Sequence, residues 1–269
     1  MTRRPMDASC LLTPKEGNSE SECEDAATLF PADGEFSDDV LVAAVSDGAS
    51  ESALAKDWSK MLVDGIARRA HEDAGVLSDE EAFAAFAKEL VGQWEGFLSS
   101  YVQGRAESGK PVQWYEEAKF EKGAFATLLA VRVERSADSM GARWTAAALG
   151  DSCFFHLRGG ELLHSFPLTK TDEFGTTPAL FGSRNHDYEL IAERTQFASG
   201  QAEPGDILFL MTDALAAWFL GLGEKLSGQL GALEHASTGQ QVVFDQLVDS
   251  LRSSKQLHND DVALVRIDI

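Results

Sequence analysis

Several aspartates adjoin short apolar stretches of the chain, and their positions suggest metal chemistry. They are Asp47 after VLVAAVS, Asp151 in LGDS, Asp213 after ILFLMT, and Asp260 and Asp261 before VALVRI. A single Asp at a strand end is usually a turn or cap residue. Buried strands gather in sheets, however, so several strand ends can converge, and clustered carboxylates repel one another unless they are protonated or bind metal.

Carboxylate oxygens are hard ligands, which select magnesium, manganese or calcium over zinc. Two such ions bridged by a carboxylate can activate water for attack on a phosphate ester. From Glu16 to Ala55 the chain has eleven acidic residues and no Lys or Arg. Most of these acids are expected to be solvated surface, but some can converge on a divalent ion that relieves their repulsion. The residues by themselves therefore predict an oxygen-ligated metal hydrolase.

The elements that position these acids follow from the hydrophobic pattern. Strands are predicted at 40–46, 124–133, 143–150, 152–166, 207–212 and 262–269, with a hairpin turn at 158–161. Helices are predicted at 51–69, 78–101, 213–220 and 240–252. Ser78 and Glu81 suggest a capping box, and residues 167–204 suggest irregular structure. Runs of strands between pairs of helices favour an α+β fold over an alternating parallel sheet.

Composition limits the class of protein. The 269 residues are 44% hydrophobic, and no linker or repeat divides them, so we expect one domain over 1–269 with a flexible N-terminus at 1–12. The net charge of −21 makes nucleic acid and anionic membranes poor partners. The three cysteines fit no disulfide or zinc pattern, and no signal peptide or membrane-spanning run is evident. We therefore expect a cytoplasmic protein.

Six motifs resemble, in order, those of the metal-dependent protein phosphatases of the type 2C class. They are ECEDA (22–26), VAAVSDGAS (42–50), GAFATLLAV (123–131), LGDSCFF (149–155), ILFLMTDALAAW (207–218) and NDDVALV (259–265). The likeness runs from residue 13 to 269 and is greatest to a bacterial branch. It implies a four-layer α-β-β-α sandwich, in which two antiparallel sheets are flanked by antiparallel helices and the metal site lies at one end.

The resemblance also implies a site with two manganese or magnesium ions. Asp47 would bridge the ions, and the carbonyl of Gly48 would ligate one of them. The other implied ligands, in part through water, are Asp213, Asp260, Asp25, Glu24 and Asp151. Asp151 would serve an incomplete third metal site or act as a strand-end cap. A bridging water activated by the ions would attack phosphoserine or phosphothreonine.

The chain departs from the family pattern at several of these positions. Many members carry an Arg, which binds the phosphate, a few residues before an acidic pair that is Glu24 and Asp25 in this chain. Here Glu20 lies five residues before Asp25. The nearest base is Lys15, which can act as a point charge but not as a two-pronged donor. We therefore assign catalytic roles to Asp47, Asp25 and Lys15. Ala217 replaces an acid that completes a third metal site in many members.

Two functions remain open from the sequence. The first is a serine/threonine protein phosphatase that acts on the phosphorylated target of a Ser/Thr kinase, with residues 167–204 as a flap beside the site. The alternative is a catalytically weak relative that works as a phosphoprotein-binding or regulatory module. The missing Arg and Ala217 favour the second function, and the retained acids favour the first. The family default is a monomer.

Overall fold

The computed structural model of the chain describes residues 6–31, 39–135, 141–175, 177–223 and 226–269. The strands are β1 (Asp7–Thr13), β2 (Ala26–Phe30), β3 (Val40–Ser46), β4 (Phe125–Ala126), β5 (Leu128–Arg135), β6 (Ala142–Leu149), β7 (Cys153–Arg158), β8 (Glu161–Phe166), β9 (Phe181–Gly182), β10 (Gln196–Ala202), β11 (Ile207–Met211) and β12 (Val262–Asp268). The α-helices are α1 (Ala55–Glu72), α2 (Glu80–Glu107), α3 (Trp114–Lys122), α4 (Tyr188–Glu193), α5 (Asp213–Gly221), α6 (Leu226–Ala236) and α7 (Gln241–Ser253).

Two five-stranded sheets form the centre of the molecule, and every pairing in them is antiparallel. The first sheet has the order β1-β12-β11-β7-β8, and the second has the order β10-β6-β5-β3-β2. Strands β4 and β9 form a small separate pair. The hairpin between β7 and β8 turns at Gly159 and Gly160, which both have positive φ angles and confirm the predicted turn.

Three apolar interfaces stack these layers into a sandwich. Between the sheets, alternate residues of β3 such as Leu41 and Val45 meet Leu208 and Leu210 of β11, all fully buried. Helices α1 and α2 cover the outer face of the second sheet, and α5, α6 and α7 cover the first. The predicted α+β fold, a four-layer α-β-β-α sandwich, is thereby confirmed. None of the helices in the described ranges is long and apolar enough to cross a membrane.

The N-terminal region differs from the expectation. Residues 1–12 were expected to be flexible, but Asp7–Thr13 forms the edge strand β1, paired with β12 so that Leu11 lies opposite Leu264. Leu11 is buried in the core beneath the helices. The prediction is wrong for 7–12 because the partner of this strand lies at the other end of the chain, where no local pattern reveals it. Residues 1–5 lie outside the described residues.

The expectation of irregular structure at 167–204 is wrong from residue 181 to residue 202, where β9, α4 and β10 occur. Strand β10 is an edge strand that pairs, among the described residues, with β6 alone, and its sequence QFASGQA has few β-branched or aromatic residues. Gly200 lies opposite Trp144, and a Cβ there would stand 2.5 Å from the indole ring. Packing against Trp144 therefore requires the glycine that weakens the strand signal.

Helix α2 begins differently from the prediction. Its N-cap is Asp79, whose Oδ1 accepts a hydrogen bond of 2.8 Å from the backbone N–H of Ala82. Ser78 instead donates its hydroxyl to the carbonyl of Gly75, so the predicted capping box is wrong. The helix also extends beyond residue 101 to Glu107. The remaining predicted strands and helices are confirmed, whereas β2, α3 and α6 were not predicted.

Candidate functional site

The acids of the second sheet lie at one end of the sandwich. Asp25 directly precedes β2 and Asp47 directly follows β3. Because β2 and β3 are antiparallel, with Ala26 opposite Ser46, these two carboxylates stand at the same end of the sheet. The pair is close enough for the carboxyl group of Asp25 to hydrogen-bond that of Asp47.

The acids of the first sheet lie at the same end. Asp213 follows β11 and Asp260 precedes β12, and these strands are antiparallel with Met211 opposite Leu264. Asp151 lies in the turn from β6 to β7, where the chain crosses from one sheet to the other. The structure thus brings together Asp25, Asp47, Asp151, Asp213 and Asp260, as their electrostatic coupling shows.

Four of these carboxyl groups, those of Asp25, Asp47, Asp151 and Asp213, have raised pKa values and so resist ionisation. Burial, with the charges of Asp213 and Asp151, raises the pKa of Asp47 to about 8. Burial and the charge of Asp47 raise the pKa of Asp25 well above its usual range. Burial raises the pKa of Asp151 to about 6, and burial with the charge of Asp260 raises that of Asp213. A divalent cation stabilises the ionised forms of such a group.

Two carboxylate oxygens at this end are buried and have no hydrogen-bond partner in the described residues, namely Asp25 Oδ2 and Asp151 Oδ1. Unpaired buried oxygens are rare in folded proteins, and a hard cation satisfies them. Within the described ranges, no group of three His, Cys, Asp or Glu side chains is arranged to hold an ion. Oδ1 of Asp213 and Oδ1 of Asp260 each accept a neighbouring backbone N–H, and each carboxylate keeps further lone pairs that can ligate an ion. The donor set fits magnesium or manganese.

The Asp47–Gly48 step is fixed by hydrogen bonds to Thr127. The Asp47 N–H donates to Thr127 Oγ1 at 2.9 Å, and the Thr127 N–H donates to the Asp47 carbonyl at 2.8 Å. A Cβ at Gly48 would stand 2.7 Å from the carbonyl oxygen of Glu24, so only glycine allows this close approach. The backbone of the expected bridging motif is therefore rigid and lies against the acidic pair.

Two hydroxyl residues that support the site were missed from the sequence. Thr212 Oγ1 accepts from the Ala263 N–H at 2.8 Å, and the Thr212 hydroxyl opposes the rise that burial causes in the pKa of Asp25. Thr127 also hydrogen-bonds the Ser152 hydroxyl at 2.8 Å. A threonine directly before Asp213 was the available signal for Thr212, whereas nothing local marks Thr127.

Lys15 lies at the edge of this site, with its ammonium close to Glu24. Its Nζ is 3.4 Å from the hydroxyl of Ser50 and 3.9 Å from Glu24 Oε2. Ser50 in turn donates a short hydrogen bond to the same carboxylate. Lys15, the basic residue nearest to Glu24 and Asp25 in the sequence, therefore lies beside Glu24 and contacts Ser50 in the loop that follows Asp47.

An open cleft of about 810 Å³ borders Asp213 and Asp260. Its walls include Trp218 of α5 and Phe174 from the first half of 167–204, together with Ala217 and His258. His258 and Asp213 therefore line the same cleft. Phe174 makes the first half of the expected flap part of the cleft wall.

The structure is thus a four-layer α+β sandwich with carboxylates gathered at one end as a candidate site for divalent metal ions. Residues 16–259 match the family model described as Protein phosphatase 2C. The chain belongs to this family, which was the resemblance read from its motifs. A search of curated proteins finds no match to this chain.

Solved structures show the same fold. The Mycobacterium tuberculosis serine/threonine phosphatase PstP/Ppp is 15% identical with a TM-score of 0.59, and 98% of each chain is covered. The catalytic domain of PstP in complex with two manganese ions has 15% identity and a TM-score of 0.57, covering 98% of this chain and 97% of the other. RsbX in complex with magnesium has 16% identity and a TM-score of 0.51, with 100% and 97% covered. At these identities the likeness establishes the fold alone.

Proposed function

We propose that the protein is a metal-dependent serine/threonine protein phosphatase. The observation that carries this proposal is the pair of buried, unpaired oxygens of Asp25 and Asp151 among the converging carboxylates. A cluster of this kind is costly to a folded chain unless it binds a cation. Membership of the family supplies the reaction class, and a serine/threonine phosphatase has the same fold.

The chain's own residues divide the work. Asp47 and the Gly48 carbonyl would hold the ions, with the remaining ligands Asp213, Asp260, Asp25, Glu24 and Asp151. When bound, two manganese or magnesium ions would lower the pKa of water and neutralise charge on the phosphoryl oxygens. Lys15 would hold one phosphoryl oxygen by its charge, and Thr212 would keep the Asp25 carboxylate oriented. The cleft beside Trp218 would admit the phosphoserine- or phosphothreonine-bearing segment of a protein, the target of a Ser/Thr kinase.

The second candidate is a phosphoprotein-binding relative with weak catalysis. Glu20 stands where many members have a phosphate-gripping Arg, and Ala217 removes an acid from the cleft wall. Both changes reduce the grip on phosphate and metal while leaving the scaffold intact. A monomer in the cytoplasm is proposed for either candidate.

The deciding experiment is hydrolysis of para-nitrophenyl phosphate with and without manganese. Wild type, Asp47→Asn and Asp249→Asn are compared, because Asp249 is an exposed residue of α7 that makes the same change of charge outside the proposed ligand set. We expect metal-dependent turnover in wild type and Asp249→Asn, and loss of at least about a hundredfold in Asp47→Asn.

Phosphopeptides then define the substrate class. Turnover of phosphoserine and phosphothreonine peptides above phosphotyrosine peptides supports the proposal. A folded wild type that binds manganese and hydrolyses no phosphoester would reject catalysis and favour the binding module. The thermal shift with manganese separates that result from a failure to bind metal.

A further inference from the structure

Asp261 lies beside the expected metal ligand Asp260 but makes different contacts. Its side chain is only 4% exposed, and both of its oxygens accept hydrogen bonds from backbone. Asp261 Oδ1 accepts from the N–H of Lys15 at 2.7 Å, and Oδ2 accepts from the N–H of Glu24 at 2.8 Å. One buried carboxylate therefore ties two separate parts of the acidic segment to the start of β12.

Two neighbours of Asp261 hold the same turn. Asn259 Oδ1 accepts from the N–H of Glu16 at 2.7 Å. Arg252, at the end of α7, donates to the carbonyl of Pro14 at 3.0 Å and also to the carbonyl of Asp260. Consecutive backbone groups at 14–16 are thus held by side chains from 252–261, and we call Arg252, Asn259 and Asp261 the clamp.

The clamp acts on the backbone of the residue whose ammonium stands at the site. A lysine side chain is long and flexible. Holding its Cα in place limits the positions that Nζ can reach. Lys15 Nζ is within 3.9 Å of Glu24 Oε2, and Asp261 bonds the backbone of both residues. The hydrogen bonds of Asp261 therefore hold the backbone from which both the Lys15 and the Glu24 side chains project.

We propose that Asp261 is a positioning residue, which holds Lys15 and Glu24 so that the Lys15 ammonium meets the phosphoryl group of the substrate. This inference rests on the proposed function. We assign Asp261 a backbone contact and not a metal ion, because its two oxygens accept from the N–H groups of Lys15 and Glu24. A fixed turn also reduces the conformational entropy that Lys15 loses when it binds phosphate. This saving matters here because the chain has Glu20 in place of an Arg and Lys15 is the cation assigned to the phosphate.

The test is a double-mutant cycle with Asp261→Asn and Lys15→Ala. The amide of Asp261→Asn keeps the size of the side chain but turns an NH₂ group towards one of the two backbone N–H donors. With para-nitrophenyl phosphate and manganese, we expect KM to rise about tenfold in each single variant, since a charge-assisted contact is lost. We expect kcat and manganese affinity to stay within about twofold of wild type.

In the double variant, KM should rise no further than in Lys15→Ala alone, because Asp261 acts through Lys15. Asp249→Asn serves as the charge-matched control and should match wild type. Amide hydrogen exchange without metal should be faster at Lys15 and Glu24 in Asp261→Asn, which reports the clamp independently of activity.

Two outcomes overturn the inference. If Asp261→Asn lost as much manganese affinity as Asp260→Asn, the role of Asp261 would be to support the metal site and not to position Lys15. If adding Asp261→Asn to Lys15→Ala raised KM by the same factor as Asp261→Asn does alone, Asp261 would act independently of Lys15. If wild type shows no turnover, the proposed function fails, and the same cycle is run on binding of inorganic phosphate to the manganese-loaded protein by calorimetry. There, equal and non-additive losses support the inference, and additive losses overturn it.

Discussion

At the scale of single residues, the site is a group of buried acids whose ionised forms repel one another. Asp47 and Asp25 are buried beside each other, and the pKa of each is raised by burial and by neighbouring acids. An unfolded aspartate ionises near pH 4. Between about pH 4 and about pH 8 the folded chain therefore holds protons that the unfolded chain has released. Protons and a divalent cation compete for the same oxygens.

This competition predicts how pH affects stability. Without metal, the free energy of unfolding should fall as pH rises from about 4 to about 8, because the native state binds more protons than the unfolded state. The stabilisation by manganese should grow over the same range. Asp47→Asn should flatten the metal-free slope and abolish the stabilisation. Urea unfolding across the pH series measures both effects.

The surface variant Asp249→Asn is the control and should keep the wild-type slope. A wild-type stability that rises with pH in this range would contradict the clustering of protonated carboxyl groups at the end of the sandwich.

At the scale of elements, short-range chemistry decided some boundaries and long-range packing decided others. The strands at 40–46 and 207–211 were predicted because each is a continuous apolar run, buried on both faces between a sheet and a helical layer. Strands β1 and β10 were missed because each lies at the edge of its sheet and pairs with a strand on one side. Such a strand is more exposed and does not form a continuous apolar run. The start of α2 was misplaced by a single residue, because Ser78 and Asp79 are both good N-cap residues.

The cap of α2 gives a prediction at this scale. Asp79→Ala should lower the free energy of unfolding by about 1 kcal/mol, because it leaves the Ala82 N–H without its side-chain acceptor. Ser78→Ala is the matched control and should cost no more than about 0.5 kcal/mol, as its hydroxyl makes only a long bond to Gly75. Urea denaturation of both variants measures the difference. Equal costs would restore the capping box predicted from the sequence.

At the scale of the whole molecule, the two ends of the sandwich are opposite in character. The candidate site gathers like charges, whereas the far end holds a compensated cluster around Asp206, which is 1% exposed. Asp206 accepts hydrogen bonds from Arg158 Nε at 2.8 Å and from His156 Nε2 at 2.7 Å. Burial opposes ionisation of Asp206, but these bonds and one from the Glu203 N–H outweigh it and lower its pKa to about 2.

The stability supplied by Asp206 should be present above about pH 4 and lost as pH falls towards 2, since the folded pKa lies below the unfolded one. Asp206→Asn should lower the free energy of unfolding at neutral pH by about 2 kcal/mol, because the buried carboxylate loses its charged hydrogen bonds to Arg158, whose side chain is partly exposed. It should also flatten the acid limb of the stability curve. Chemical denaturation from pH about 7 to about 2 tests both effects.

Glu203→Gln is the control, because Glu203 contacts the same Arg158 at 3.0 Å from an exposed position and should cost at most about 0.5 kcal/mol. Hydrolysis by the folded fraction of Asp206→Asn should match wild type, since the cluster lies at the opposite end of β11 and β7 from Asp213 and Asp151. A changed KM would show that the two ends are coupled.

The sequence by itself indicated the buried strands and the acids at their ends, and the resemblance of its six motifs to a known family implied the four-layer sandwich. Apolar runs specify buried strands, and a carboxylate at the end of each run is carried to the end of a sheet wherever that sheet forms. Only the tertiary structure decided which groups hold that site in place. Lys15 and Asp261 are 246 residues apart and Asp47 and Thr127 are 80 apart, so their hydrogen bonds follow from strand pairing at a distance. Local sequence carries no signal for such pairs, because backbone N–H groups are the same in every residue type except proline.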